Sequence, residues 1–261
     1  MLRRFLVTMI GFTLLVSGVA APSAREADPA PIPLATGEWP PYTGAELDGG
    51  GVAVELVRAV FAAMGRAADI RFYPWRRSEA YVRHGLAWAT FPYAITEARR
   101  ADYFFSGPLF ESRGVFFYYG QKMASFEFTE LNDLRPYTIG VAAGYWYEEL
   151  FLDAGLTVDQ SLDDLAGLKK LQARRIDLYP ADQLVGLWLI ANHFAPDQQH
   201  FGIVERPLRT NQNALMVSKS YPHSRALLRE FNAALQRVRE EGLYRRIMER
   251  YGIDPEAALF E

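Results

Sequence analysis

The stretch Pro31-Ile32-Pro33-Leu34-Ala35-Thr36, the loop Trp39-Pro40-Pro41-Tyr42-Thr43-Gly44 and the run GVAVELVRAVFAAMG from Gly51 to Gly65 decide the fold. The first is a short apolar segment of strand length, bounded by turn residues. The second crowds prolines, a glycine and two aromatic rings into a loop. The third places apolar side chains at Val52, Leu56, Val60 and Met64, with Val57 and Phe61 beside them. That spacing is one face of a helix, and Gly65 ends it. Strand, loop and helix in this order make the first half of a parallel βαβ unit.

The same alternation continues along the chain. Ala68 to Tyr73 reads as a second strand, Glu79 to Arg83 as a short helix stopped near Gly85, and Trp88 to Pro92 as a third strand. Ile95 to Arg100 is a turn or short helix, and Gly114 to Tyr119 is an aromatic extended run. A second unit then begins: strand Tyr137 to Val141, helix Trp146 to Leu152, strand Thr157-Val158, helix Leu162 to Ala173, strand Ile176 to Tyr179 and helix Asp182 to Ala191. After Pro222 the chain is helical, with Leu227, Leu228, Phe231, Leu235 and Val238 along one side up to Gly242, then a last helix from Leu243 to Arg250. The expectation is two small α/β layers with parallel strands.

The start of the chain reads as an export signal, with a single membrane anchor as the alternative. Met1-Leu2-Arg3-Arg4 is basic, Phe5 to Val19 is apolar, and Ala20-Ala21-Pro22-Ser23-Ala24 supplies small residues before charge returns at Arg25. This is the order of a cleavable secretory leader over residues 1–24, cut after Ala21 or Ala24. The apolar run falls short of the about 20 residues that a spanning helix needs. The whole chain carries a net charge of −3, and losing Arg3 and Arg4 with the leader makes the mature chain more acidic. No basic footprint for nucleic acid or a membrane surface remains. The chain has no cysteine, which excludes disulfides, thiolate metal sites and an N-terminal lipid anchor. His84, His193, His200 and His223 are scattered, so neither a metal nor another cofactor is expected.

The motifs carry a family likeness. Reading from Trp39-Pro40-Pro41-Tyr42 through Tyr73-Pro74-Trp75-Arg76-Arg77, Phe91-Pro92-Tyr93, Thr96-Glu97-Ala98-Arg99-Arg100, Phe105-Ser106-Gly107-Pro108 and Arg175-Ile176-Asp177 to Glu241-Gly242-Leu243-Tyr244, the chain resembles the family 3 solute-binding proteins of bacterial ABC uptake systems, the polar amino acid-binding group. The resemblance implies an α/β fold of the type II periplasmic binding protein kind, with two lobes, two crossovers and a central ligand cleft. By that analogy lobe 1 holds residues 25–112 and 214–261, and lobe 2 holds 113–213. It implies a periplasmic monomer that closes around a small molecule and serves an ABC permease or a membrane sensor. The Pro-Trp-x-Arg and Phe-Pro-Tyr elements look like a divergent branch.

Several side chains become candidate ligand contacts. The resemblance makes Arg99, in Thr96-Glu97-Ala98-Arg99, the residue that grips an anionic group, and a guanidinium offers a carboxylate a bidentate fork. Its alternative is a surface ion pair with Glu97 or Asp102, and Arg100 competes for the role. Asp182 lies five residues beyond Asp177, the family interval for the carboxylate that holds a ligand ammonium. Its alternative is a helix N-cap. Trp39, Tyr42, Trp75, Phe91, Tyr93 and Tyr145 fall on segments expected to face the opening, and Arg77 is a second anion candidate. Phe72, Phe104 and Phe110 are expected in the core.

Departures from the family pattern bear on the ligand. Phe91-Pro92-Tyr93-Ala94 replaces the small hydroxyl residues that usually precede the arginine, and Gly144-Tyr145 replaces Gly-Thr or Gly-Ser. The expected ligand is therefore a zwitterion or organic anion with apolar surface. The chain has no His-Glu-x-x-His, Gly-x-Ser-x-Gly, Walker or cysteine nucleophile motif, so binding without covalent chemistry is expected. A few relatives of the fold are dehydratases of cyclic acids, and product formation would discriminate that alternative. A sensory role beside a separate receptor is the other.

Overall fold

The computed structural model describes residues 30–123, 125–142 and 145–255. The leader read at 1–24 lies outside the described residues, as does Gly144.

The first lobe begins with β1 (Ile32–Thr36), α1 (Val52–Ala63), β2 (Ala68–Phe72), α2 (Trp75–Arg83), β3 (Ala89–Ala94), α3 (Glu97–Asp102) and β4 (Tyr103–Phe105). β1 pairs in parallel with β2 on one side and β3 on the other, as the alternation predicts. α2 starts at Trp75, four residues before the expected Glu79. Pro74, whose fixed φ suits a helix start, stands at its N-cap.

The chain then crosses on β5 (Phe110–Tyr119) into the second lobe: β6 (Thr138–Ala142), α4 (Trp146–Asp153), β7 (Thr157–Ser161), α5 (Asp164–Gln172), β8 (Tyr179–Asp182), α6 (Gln183–His193) and β9 (Phe201–Ile203). β6 and β7 are parallel, and Ile139 forms a parallel bridge to Leu178 just before β8. The chain returns on β10 (Arg209–Ser218) and ends in α7 (Ser224–Glu240) and α8 (Leu243–Arg250) against the first lobe.

β10 has no counterpart in the sequence reading, and it changes the architecture. Its first half pairs antiparallel with the first half of β5, from Arg209↔Gly114 to Asn213↔Phe110. Its second half enters the first lobe between β3 and β4, while the second half of β5 pairs with β8 and β9 in the second lobe. One sheet, ordered β2-β1-β3-β10-β5-β8, therefore runs through both lobes. The two crossovers are neighbouring strands of it.

Alternation along the strands divides the cores. In β5, Phe116 packs on α4 through Phe151, while Phe117 faces α5 and α6 with Leu168, Tyr179 and Ile190. In the first lobe Leu34, Leu215 and Val217 meet Val57, Phe61, Phe231 and Leu235 of α1 and α7, and Ala35 and Met216 face α2. Phe110 is buried in the α1–α7 core, with Phe72 and Phe104 partly buried against it. All four histidines are exposed.

α6 presses directly on β5 at Gly186. A Cβ there would lie 2.3 Å from Cζ of Phe117. Gly to Ala in a helix normally gains about 0.5–1 kcal/mol, but forcing atoms into a packed core costs about 1–3 kcal/mol, and here the clash is with a fully buried ring. Gly186→Ala is therefore expected to destabilise the protein in urea unfolding; a rise in midpoint would show that α6 can move off the sheet.

Candidate functional site

In a sheet of parallel strands, ligands gather at the carboxyl ends, where loops and helix starts converge. In the first lobe β1 delivers Trp39 and Tyr42, β2 delivers Trp75, and β3 delivers Arg99. In the second lobe β6 delivers Tyr145, β7 delivers Asp164, and β8 ends on Asp182 itself.

Trp75, Tyr93 and Arg99 form one group. The Trp75 indole lies on Gly37, where a Cβ would approach its ring to 2.5 Å, and its Nε1 donates to the Glu38 carbonyl at 3.3 Å. The Tyr93 ring meets it edge-on at 5.5 Å. The Arg99 guanidinium sits 5.0 Å over the other end of this group, on the Tyr93 ring, with Nη1 donating to the Ala94 carbonyl at 3.0 Å. Burial raises the Tyr93 phenol above its ordinary pKa, against the opposing charge of Arg99. Thr96 caps α3 by accepting from Arg99 N–H at 3.3 Å. No carboxylate pairs with Arg99 among the described residues, whereas Arg100 is exposed and pairs with Glu97 at 3.4 Å.

Two other candidates are placed differently. Arg77 is exposed and held on its own helix, donating to the Tyr81 hydroxyl at 2.8 Å and lying 5.0 Å from the Tyr73 ring centroid. Phe91 and Tyr93 do not share a face. Opposite them the pairing with β10 steps from Tyr93↔Ala214 to Thr90↔Met216, three residues against two. This bulge turns Tyr93 toward α2 and leaves Phe91 fully buried in the α1–α7 core.

Asp182 stands where the two lobes meet, near Tyr42. Its carboxylate caps α6, accepting from Leu184 N–H at 3.1 Å and Val185 N–H at 3.2 Å, so the N-cap alternative is realised. Tyr42 and Ser112 lie beside it, and Ser112 Oγ accepts from Asn213 Nδ2 at 2.8 Å. Tyr42 is itself fixed between Trp39, at 4.4 Å, and Phe110, stacked at 4.6 Å and 2°. Burial pushes the Asp182 carboxyl up to about 7, although all these donors pull it down.

Beside it stands a carboxylate that the sequence reading did not single out. Asp163 caps α5 by accepting from Ala166 N–H at 2.8 Å, which leaves Asp164 free of that duty. Asp164 accepts from the Tyr179 hydroxyl at 2.9 Å and marginally from Tyr145 at 3.5 Å. Burial pushes it up to about 6, opposed by the Tyr179 hydroxyl. Tyr145 is 41% exposed, and its phenol is raised by burial and by the nearby Asp164 and Asp182 charges. Tyr179 reaches Asp164 because its ring lies on Gly167, where a Cβ would approach it to 2.0 Å. The position at the end of a parallel strand was the one sequence signal for Asp164. No cluster able to hold a metal ion occurs among the described residues.

Two α/β lobes on one sheet, with polar and aromatic groups at the carboxyl ends of both, define a solute-binding clamp. The chain belongs to the bacterial extracellular solute-binding proteins, family 3, whose model matches residues 34–254. The family is one of extracellular proteins. Its fold is similar to the glutamate-bound ligand-binding core of GluR0 from Nostoc punctiforme, at 20% identity over 85% of this chain and 99% of that one, TM-score 0.67. It is similar to an ancestral arginine-binding protein bound to arginine, at 22% identity over 84% and 97%, TM-score 0.66. A histidine kinase sensor domain similar to periplasmic binding proteins matches at 20% identity over 85% and 95%, TM-score 0.69. At these identities the likeness is one of fold. A comparison with curated proteins found no match.

The raised carboxyls make a pH prediction for the ligand-free protein. An unfolded aspartate loses its proton near 3.8, while Asp164 and Asp182 keep theirs to about 6 and about 7. The folded chain thus binds more protons than the unfolded one between about pH 4 and 7, and stability falls as pH rises through that window. Asp182→Asn keeps a competent cap and removes one titration. Melting temperatures across the window are expected to fall less steeply in the variant; an unchanged slope contradicts the assignment.

Proposed function

We propose that this protein captures a small anionic or zwitterionic solute between its lobes and delivers it to an ABC-type permease. The observation that carries the reading is Arg99. Its guanidinium has a fixed backbone anchor at Ala94 and an aromatic face at Tyr93, yet no acidic partner among the described residues. A cation held in one orientation but left uncompensated is suited to a carboxylate arriving from solution. Trp39, Tyr42, Trp75 and Tyr93 supply apolar surface around it, and Tyr145 approaches from the second lobe.

In this reading residues 1–24 are removed on export. Residues 25–112 with 214–261 and residues 113–213 move as two bodies about β5 and β10, and the mature chain works as a monomer. Phe91 acts from within the core, behind the contact surface. Arg77 has a place only as an outer charge, since Tyr81 already holds it. Pro74-Trp75-Arg76-Arg77 and Phe91-Pro92-Tyr93 mark a branch of the family in which rings replace small hydroxyl donors. Solved relatives described as binding glutamate and arginine support an amino acid-like solute.

A thermal-shift screen against amino acids, opines, polyamines and small aromatic acids tests the reading. A ligand at about a thousand times its dissociation constant adds about 4 kcal/mol of stability. A charge-assisted hydrogen-bonded pair is worth about 1.5–3 kcal/mol, so Arg99→Ala is expected to weaken the best anionic hit at least about tenfold by calorimetry, with Arg100→Ala unchanged. Equal affinities for wild type and Arg99→Ala remove Arg99 from the site.

A further inference from the structure

We infer that the outward face of α2 is the surface on which this protein meets its membrane partner, and that the partner presents an acidic segment to it. The assignment rests on the delivery reading above and names where contact is made and with what chemistry.

The argument begins with a helix start that breaks an electrostatic rule. The amino end of a helix is electropositive and favours Asp or Glu in its first turn. α2 has no acidic residue there and carries Arg76 and Arg77 instead. Neither pairs with a carboxylate among the described residues. Arg76 is exposed. Arg77 is clamped: its guanidinium lies 5.0 Å from the Tyr73 ring centroid and 5.3 Å from that of Tyr81, whose hydroxyl accepts from Nη2 at 2.8 Å. A charge already held in one geometry loses little freedom when a partner arrives.

The two sides of the helix divide by chemistry. Ser78 and Val82 are buried against the sheet, and Trp75 turns to Gly37 and Tyr93. On the opposite side Arg76, Glu79, Arg83 and His84 surround Ala80, whose small side chain leaves a groove of about 290 Å³. The carboxylate in this groove is already engaged: Glu79 Oε1 accepts from Arg83 Nη2 at 2.9 Å and from the Tyr103 hydroxyl at 3.1 Å. Arg76 and Arg83 stand seven residues apart, about 10 Å along the axis. Carboxylates three residues apart in an extended segment match that spacing. Ala80 is the one apolar residue of the lining, so the groove suits an acidic chain rather than a bilayer, into which larger apolar side chains insert. It starts at the rim of the cleft, next to Trp75, but points away from the group formed by Trp75, Tyr93 and Arg99, so the solute is not its occupant.

Uptake separates docking from capture. Right-side-out membrane vesicles of the source organism, given the mature protein loaded with the best hit of the thermal-shift screen, are expected to accumulate that solute. Arg76→Glu, which breaks no ion pair of the described residues, should raise the half-saturating protein concentration at least about threefold, and Arg76→Glu with Arg83→Glu at least about tenfold. Both differences should shrink as salt is raised. Solute affinity by calorimetry and melting temperature should match wild type for Arg76→Glu, and Arg76→Lys should behave as wild type in uptake. Equal half-saturation for wild type and both Glu variants overturns the inference. So does binding of wild type, and not of the variants, to protein-free phosphatidylglycerol vesicles, which assigns the face to lipid. A wild-type dimer that Arg76→Glu dissolves assigns it to a second copy and overturns it equally. Vesicles that accumulate nothing with wild type overturn instead the delivery reading on which it rests.

Discussion

Everything in this molecule depends on the antiparallel pairing of β5 with β10 between Arg209↔Gly114 and Asn213↔Phe110. Each strand begins in one lobe and ends in the other, so the backbone hydrogen bonds that join the lobes are ladder bonds of a sheet. A link of this kind resists stretching and sliding, because slipping the register by one residue would turn Phe116 and Phe117 to the wrong cores. Twisting and bending remain the soft directions. The lobes can change their angle while the floor between them keeps its order.

That floor also explains why polar groups are tolerated at the centre of the chain. Ser112 and Asn213 are almost wholly buried, yet Asn213 Nδ2 donates to Ser112 Oγ at 2.8 Å, and Ser112 in turn lies beside Asp182. A buried network of this type is stable when every member has a partner and costly when one is missing. The bond between Asn213 and Ser112 joins the two hinge strands through their side chains as well as their backbones.

Much of this was legible in the sequence. The helical spacing of Val52 to Met64 and the short apolar strands around it foretell the parallel layers, because those segments bury one face against a local partner. β10 was not legible, since Arg209 to Asn213 is polar and Ala214 to Val217 apolar, and neither half alternates; its pairing is dictated by strands far away in sequence. The bulge that separates Phe91 from Tyr93 is invisible for the same reason. Trp39, Tyr42 and Trp75 stood out as rings in proline-rich loops, and Arg99 only through the family likeness. Asp164 was hidden by its neighbour: two adjacent aspartates at a helix start look equivalent, and only the fold shows that Asp163 caps while Asp164 faces two phenols.

The meeting of Tyr42 with Asp182 has one more consequence. It brings together one residue from each lobe, and Tyr42 also stands among the rings proposed to surround the solute. Observed affinity is the intrinsic affinity scaled by the fraction of molecules already in the competent arrangement. A change at Tyr42 would therefore act on both factors at once, on the balance between lobe arrangements and on the contact surface. Sensitivity and selectivity are coupled at this position.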